Sequence, residues 1–200
     1  MDWRARIRSL FAAFVLALLI VPAPASAQAT ARVRLQTSLG PIVVEVDLKR
    51  APITARNFLA YVDEKRFDGR SFYRAARNKR DAKIGLIQGG IDSKVRFARF
   101  PIAHEPTSKT GIRHVDGTLS MARNAPGSAM GDFFITIGPA AYLDAAPGNP
   151  GYAAFGRVVS GMPLVRRILA APTFPGGRSR NTIGQHIREP VKIVSARRVE

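Results

Sequence analysis

Arg32-Val33-Arg34-Leu35-Gln36-Thr37, the turn Ser38-Leu39-Gly40-Pro41, then Ile42-Val43-Val44-Glu45-Val46-Asp47 is the stretch that decides the fold class. Val33, Leu35 and Thr37 alternate with Arg32, Arg34 and Gln36. After the turn, Ile42, Val44 and Val46 alternate with Val43, Glu45 and Asp47. Period two on both sides of a Gly-Pro turn predicts a β-hairpin with one buried face. Working outward, further strands are predicted at 71–76, 84–89, 118–122, 133–137, 153–159 and 191–198. Eight strands suit a closed barrel or a sandwich. Two segments follow helical spacing instead. In 52–65, Ala55, Phe58, Leu59 and Val62 make an apolar stripe behind Pro52; in 162–170, Leu164, Val165, Ile168 and Leu169 do the same behind Pro163. Segments 77–83, 92–117, 144–151 and 172–186 read as loops.

The first residues have a different character. Arg4, Arg6 and Arg8 precede an apolar run from Leu10 to Val21, followed by Ala25-Ser26-Ala27. A basic start, a short apolar core and an A-x-A site predict a secretory signal peptide over 1–27, leaving 28–200 as one domain in the periplasm. The run is short for a membrane span, which needs about 20 residues, so no stable membrane insertion is expected. The chain has no cysteine, which excludes disulfides, thiol nucleophiles and lipid attachment through a thiol. The net charge is +17. A basic surface of this kind suits nucleic acid, anionic lipid or acidic clients. The basic residues are scattered rather than grouped in one run, and export argues against nucleic acid as a partner.

Three short islands carry the chemistry: Phe72-Tyr73-Arg74, Gln88-Gly89-Gly90 and Phe133-Phe134-Ile135. An arginine and a glutamine on strand-like segments, beside paired phenylalanines, suit catalysis by binding rather than by covalent attack. His104, His114 and His186 are the only histidines, and none has metal-ligand spacing; no G-x-S-x-G elbow and no phosphate-binding loop occur. Hydrolysis and nucleotide chemistry therefore have no residues to carry them.

The islands and their setting resemble the cyclophilin-type peptidyl-prolyl isomerases, in a bacterial exported form. The match runs in order through Thr37-Ser38-Leu39-Gly40, Ala51-Pro52-Ile53-Thr54 with Asn57-Phe58, Phe72-Tyr73-Arg74 and Gln88-Gly89-Gly90. It continues through Gly117 to Ala122, Asp132-Phe133-Phe134-Ile135, Tyr142-Leu143-Asp144 and Phe155-Gly156-Arg157-Val158, to Pro190-Val191-Lys192-Ile193. The resemblance implies a closed eight-stranded antiparallel β-barrel capped by two α-helices; a monomer is the expectation set beside it. It also implies cis–trans isomerisation of X–Pro bonds in polypeptide clients without a cofactor or metal.

It further implies roles for single residues. Arg74 is the catalytic residue, donating towards the prolyl nitrogen and carbonyl, and Gln88 steadies it and contacts substrate backbone. Phe134 is the floor of the proline pocket, with Leu86 and Leu143 as walls. Tyr142 and Tyr152 line the rim, and Ala122 and Arg123 run alongside the substrate. Four features depart from the family pattern. The connection 77–83 is longer and more charged, and Gly85 stands where a phenylalanine is common, so a wall must come from Ile84 or that loop. Arg123 replaces an asparagine. Asp132 replaces a glutamine, and its carboxylate is expected to pair with Arg74, orienting it or holding it. The competing reading is a cyclophilin-like module that binds proline segments without catalysis.

Overall fold

The computed structural model describes residues 29–200; the predicted signal peptide, 1–27, lies outside them. Eight strands form the sheet: β1 (Thr30–Thr37), β2 (Gly40–Asp47), β3 (Arg70–Arg77), β4 (Gly85–Gly90), β5 (Thr118–Met121), β6 (Asp132–Ile137), β7 (Ala153–Ser160) and β8 (His186–Val199). They close in the order β1-β2-β7-β5-β6-β4-β3-β8, with every neighbouring pair antiparallel. Closure leaves no unpaired sheet edge. The opening hairpin pairs Val33 with Val44 and Leu35 with Ile42, and all four side chains are buried. The alternation in the sequence is thus the alternation between barrel interior and surface.

The helices are α1 (Pro52–Asp63), α2 (Thr107–Thr110) and α3 (Met162–Leu169). Two capping helices were expected, at the positions of α1 and α3. The third, α2, is a single turn inside a stretch without hydrophobic period, ended by Gly111 in the left-handed region at φ 69°. The other difference is at β8, which begins at His186, five residues before the alternation of 191–198 becomes regular.

The helices pack at opposite ends of β6. Tyr61 of α1 lies against Gly131, just before β6. The carbonyls of Leu169 and Ala171, at the end of α3, accept from Arg77 at the far end of β3, where Gly85 pairs with Ile137. Between them the core is aromatic. Phe58 of α1 meets Phe67, Phe133 and Phe155 at ring-centroid distances of 5.2, 5.3 and 5.4 Å. Ala51 has no side-chain oxygen to cap α1. Glu105, buried and distant in sequence, accepts instead from the N–H groups of Ile53 (3.2 Å) and Thr54 (2.8 Å) and from the Thr54 hydroxyl (2.7 Å).

Candidate active site

The site stands on the outer face of the barrel, and one irregularity puts it there. Phe72 pairs with Gly89, yet Arg74 pairs with Gln88: two steps along β3 match one step along β4. Tyr73 is the extra residue of a β-bulge. Strand alternation alone would send Arg74 into the core beside Phe72. The bulge turns it outward. Phe72, Phe133 and Met121 then lie in an inward row, whereas Arg74, Gln88, Phe134 and Ser120 are successive cross-strand partners in the neighbouring row. The adjacent row, Ala75, Ile87, Ile135 and Leu119, returns to the core.

The Arg74 guanidinium is half-buried and doubly held. Its Nη1 donates to Gln88 Oε1 at 2.8 Å, and its Nε donates to Gln185 Oε1 at 2.8 Å. Gln88 Nε2 donates in turn to the Tyr73 hydroxyl at 2.7 Å. Burial lowers the Arg74 pKa from the ordinary arginine value and raises that of Tyr73, so Tyr73 stays protonated. Both partners of Arg74 are neutral amides. Of the five guanidinium N–H donors, two are spent, and among the described residues the positive charge meets no carboxylate in an ion pair.

The expected Asp132–Arg74 pair is therefore absent. Asp132 Oδ1 accepts from the N–H of Asp92 at 2.7 Å, and Oδ2 from the N–H of Ser93 at 2.9 Å. Asp92 and Ser93 both have positive φ, 55° and 56°, a conformation that non-glycine residues adopt only when held. Asp132 is buried and holds that turn. Burial pushes its carboxyl above the ordinary value, against the two N–H donors and the Tyr73 hydroxyl, which favour the anion.

Phe134 forms a small apolar cluster with Ala140 and Leu143, against which Leu86, Ala122 and Tyr152 pack. Tyr152 meets the Phe134 ring edge-on at 5.4 Å, and His114 stacks on it at 5.9 Å and 13°. A groove of about 500 Å³ opens over this cluster. Arg74, Gln88, Phe134, Leu86, Leu143, Tyr142, Tyr152, Ala122, Arg123 and Asp132 all border it. Two details differ from expectation. The Ala122 N–H is spent on the Asp132 carbonyl at 2.9 Å, so it is not a free donor for substrate backbone. Arg123 turns to the Gly151 carbonyl and lies over Tyr152 at 4.8 Å, rather than extending the edge.

Gly85 is a backbone requirement. Its φ is 149°, and a Cβ there would stand 2.1 Å from the Ala76 carbonyl oxygen. No side chain fits this hairpin base. Ile84 does not line the groove; it packs on Gly138. Arg77 and Asn78, at the start of the long connection, border the groove there. Gly89 leaves room for Phe72, whose Cδ1 would be 2.8 Å from a Cβ.

The opposite side comes from residues the sequence did not mark. Arg178, Ser179, Thr182 and His186 border the groove, and Gln185 holds Arg74. Arg178 pairs with Asp92 at 2.5 and 2.9 Å, tying this loop to the Asp132-held turn. Tyr73, flanking Arg74, was the one signal present in the islands.

Comparison with known proteins gives this geometry a family. The family model for cyclophilin type peptidyl-prolyl cis-trans isomerase/CLD matches residues 32–198. The chain belongs to the cyclophilin-type peptidyl-prolyl cis–trans isomerases. It is 36% identical to a peptidyl-prolyl cis-trans isomerase of Acinetobacter baylyi over 86% of this chain and 87% of that one. It is 33% identical to peptidyl-prolyl cis-trans isomerase B of Escherichia coli over 74% and 87%. The crystal structure of a Cryptosporidium parvum cyclophilin-type isomerase superposes with a TM-score of 0.68 at 18% identity, covering 86% of this chain and 98% of that one. The same cyclophilin crystallised in the presence of the dipeptide Ala-Pro gives 0.67 at 19% identity, covering 84% and 99%. These cyclophilin structures share the eight-stranded barrel found here.

Proposed function

We propose that this cyclophilin accelerates rotation about X–Pro bonds in exported polypeptide clients by stabilising the twisted imide non-covalently. The supporting observation is Arg74, charged, half-buried and held by two neutral amide oxygens at the edge of the Phe134 pocket. Rotation meets a barrier of roughly 18–20 kcal/mol because resonance stiffens the C–N bond. As the bond twists, the prolyl nitrogen regains a lone pair. The unspent N–H groups of Arg74 are donors for that nitrogen and for the prolyl carbonyl, and they strengthen as charge develops. One charge-assisted hydrogen bond contributes about 1.5–3 kcal/mol, and an acceleration of ~10⁴ needs about 5.5 kcal/mol. The remainder comes from seating the proline ring on Phe134, Leu86 and Leu143, which fixes one side of the bond while the other turns. A cyclophilin crystallised in the presence of Ala-Pro is consistent with proline-containing substrates.

A carboxylate withdrawing Arg74 from the groove would have favoured the non-catalytic reading; Asp132 is engaged elsewhere, which supports the catalytic one. Export and the periplasm follow from the predicted signal peptide; N-terminal sequencing of the secreted product tests them, with Gln28 as the expected first residue. A monomer is proposed because the closed sheet offers no strand to a second copy. The decisive assay is coupled peptide isomerisation by residues 28–200 beside Arg74→Ala. The expected loss is roughly 10- to 150-fold in kcat/KM, the rate equivalent of about 1.5–3 kcal/mol. An inactive parent, or equal activity in both proteins, overturns the proposal.

A further inference from the structure

The segment Lys94-Val95-Arg96-Phe97-Ala98-Arg99-Phe100 mixes three cationic residues with four apolar ones, and the fold holds it out as a platform. Phe100 is 92% exposed and Val95 77%, the two most exposed large apolar side chains among the described residues. They are not on a loose loop. Arg66 Nη1 donates to the carbonyls of Phe97 (3.3 Å) and Ala98 (3.4 Å), and the Arg99 N–H donates to the Tyr61 hydroxyl at 2.7 Å. Ile102 pairs with Ala129, and the Phe97 ring lies beneath the guanidiniums of Arg70 (3.9 Å) and Arg96 (4.7 Å). The outward position of Val95 and Phe100 is therefore built in.

The surroundings are cationic. Arg56, Arg66 and Arg99 border a hollow of about 880 Å³ beside Phe100, and Arg70, Lys94 and Arg96 stand next to it. Glu64 is the shared partner of Arg66 and Arg99. Arg56, Arg70, Lys94 and Arg96 make no ion pair among the described residues.

We infer that this face docks reversibly on an anionic phospholipid surface, with Phe100 and Val95 entering the interfacial layer and the arginines meeting headgroup phosphates. Charge complementarity and protruding apolar side chains are what such a surface recognises. An extended acidic polypeptide is the less suitable occupant. Segment 94–100 is no strand edge, so it offers no ladder of backbone groups to fix a chain's register. Met130 borders both the hollow and the active-site groove, so the docked face adjoins the catalytic one.

The test is flotation of residues 28–200, which contain every strand and helix described, with vesicles of phosphatidylcholine alone or mixed with phosphatidylglycerol. Binding to the mixed vesicles is expected to exceed binding to the neutral ones by about tenfold or more at low salt, and to collapse at high salt. Val95→Ser with Phe100→Ser, and separately Lys94→Glu with Arg96→Glu, are each expected to abolish it while isomerase activity on a short peptide is kept. Lys79→Glu with Arg80→Glu, in the distant 77–83 loop, makes the same change in net charge and is expected to leave most binding intact. Absence of binding overturns the inference, as does equal loss in the Lys79/Arg80 variant or indifference to the Val95/Phe100 change. Binding of polyglutamate with the same variant dependence, but no vesicle binding, overturns it in favour of an acidic protein partner.

Discussion

The two sides of the groove are built by different means. One is sheet: Arg74, Gln88 and Phe134 lie in register across β3, β4 and β6, fixed by backbone ladders and by the core behind them. The other is loop: Arg178, Ser179 and Thr182, with Gln185 at its end, held to the barrel by the side-chain bonds Arg178–Asp92 and Gln185–Arg74 and by one backbone bond, from the Ala75 N–H to the Gln185 carbonyl at 2.8 Å. On the sheet side, position follows from strand register. On the loop side it depends on a chain of separate bonds, with Asp132 holding the turn that receives Arg178. Damage to the sheet side is therefore expected to cost stability and catalysis together. Damage to the loop side is expected to cost catalysis with the fold kept.

The strongest way to probe this difference is Phe134→Ala on the sheet side. Phe134 is 3% exposed and central to its cluster. Its loss is expected to destabilise the protein by about 3–5 kcal/mol and to raise KM for proline peptides. Chemical denaturation and steady-state kinetics on the same preparation check both effects. Unchanged stability would contradict the rigid-wall description.

Asp132→Ala is the intermediate case, because Asp132 starts β6 yet serves the loop side. It leaves the N–H groups of Asp92 and Ser93 without their acceptor, in a turn that already has positive φ at both residues. The expected cost is about 1–3 kcal/mol, with a drop in kcat/KM although Arg74 keeps both amide partners. Asp132→Asn retains one acceptor oxygen and is expected to recover part of each loss. Weaker still is Arg178→Ala. The Arg178 side chain is 61% exposed, so its pair with Asp92 is worth about 0.2–1 kcal/mol. Thermal stability is expected to hold while kcat/KM falls and becomes less sensitive to salt.

The same division explains what the sequence could reveal. Residue patterning located all eight strands, and in β1 burial on one face leaves its trace in residue order, whereas β5 and β6 are buried throughout. Strand register sets Phe133 inward and Phe134 towards the groove, and the sheet side of the site was legible through the family resemblance. The bulge at Tyr73 was not, since alternation counts residues and cannot see an extra one. Gln185 and Arg178 lay in a Gly/Pro-rich segment whose contacts are 111 and 86 residues away in the chain. Asp132 borders the groove, but its partners are backbone N–H groups, which no residue type announces. Glu105 capping α1 and the single-turn α2 were hidden likewise.

The mildest probe is pH, and it acts through the group behind the sheet side. His114 is buried against Phe134. Its Nδ1 lies 2.7 Å from Asp144 Oδ1, and its Nε2 lies 2.9 Å from Ser120 Oγ. Burial holds the imidazole pKa below the ordinary 6.5, outweighing the opposing pull of Asp144. The unfolded chain thus takes up a proton near pH 6.5 that the folded chain refuses. Stability from this source is full above that pH and declines as pH falls below it. His186, also held low by burial and then by Arg178, adds to the decline with the same sign. Asp132 acts in the opposite sense, because burial makes its folded carboxyl bind a proton more tightly than an ordinary aspartate does. Melting temperatures of residues 28–200 are expected to fall from pH 7 to pH 5.5, and the fall is expected to be shallower in His114→Gln. An equal slope in the variant would show that the imidazole behind Phe134 is not the group being titrated.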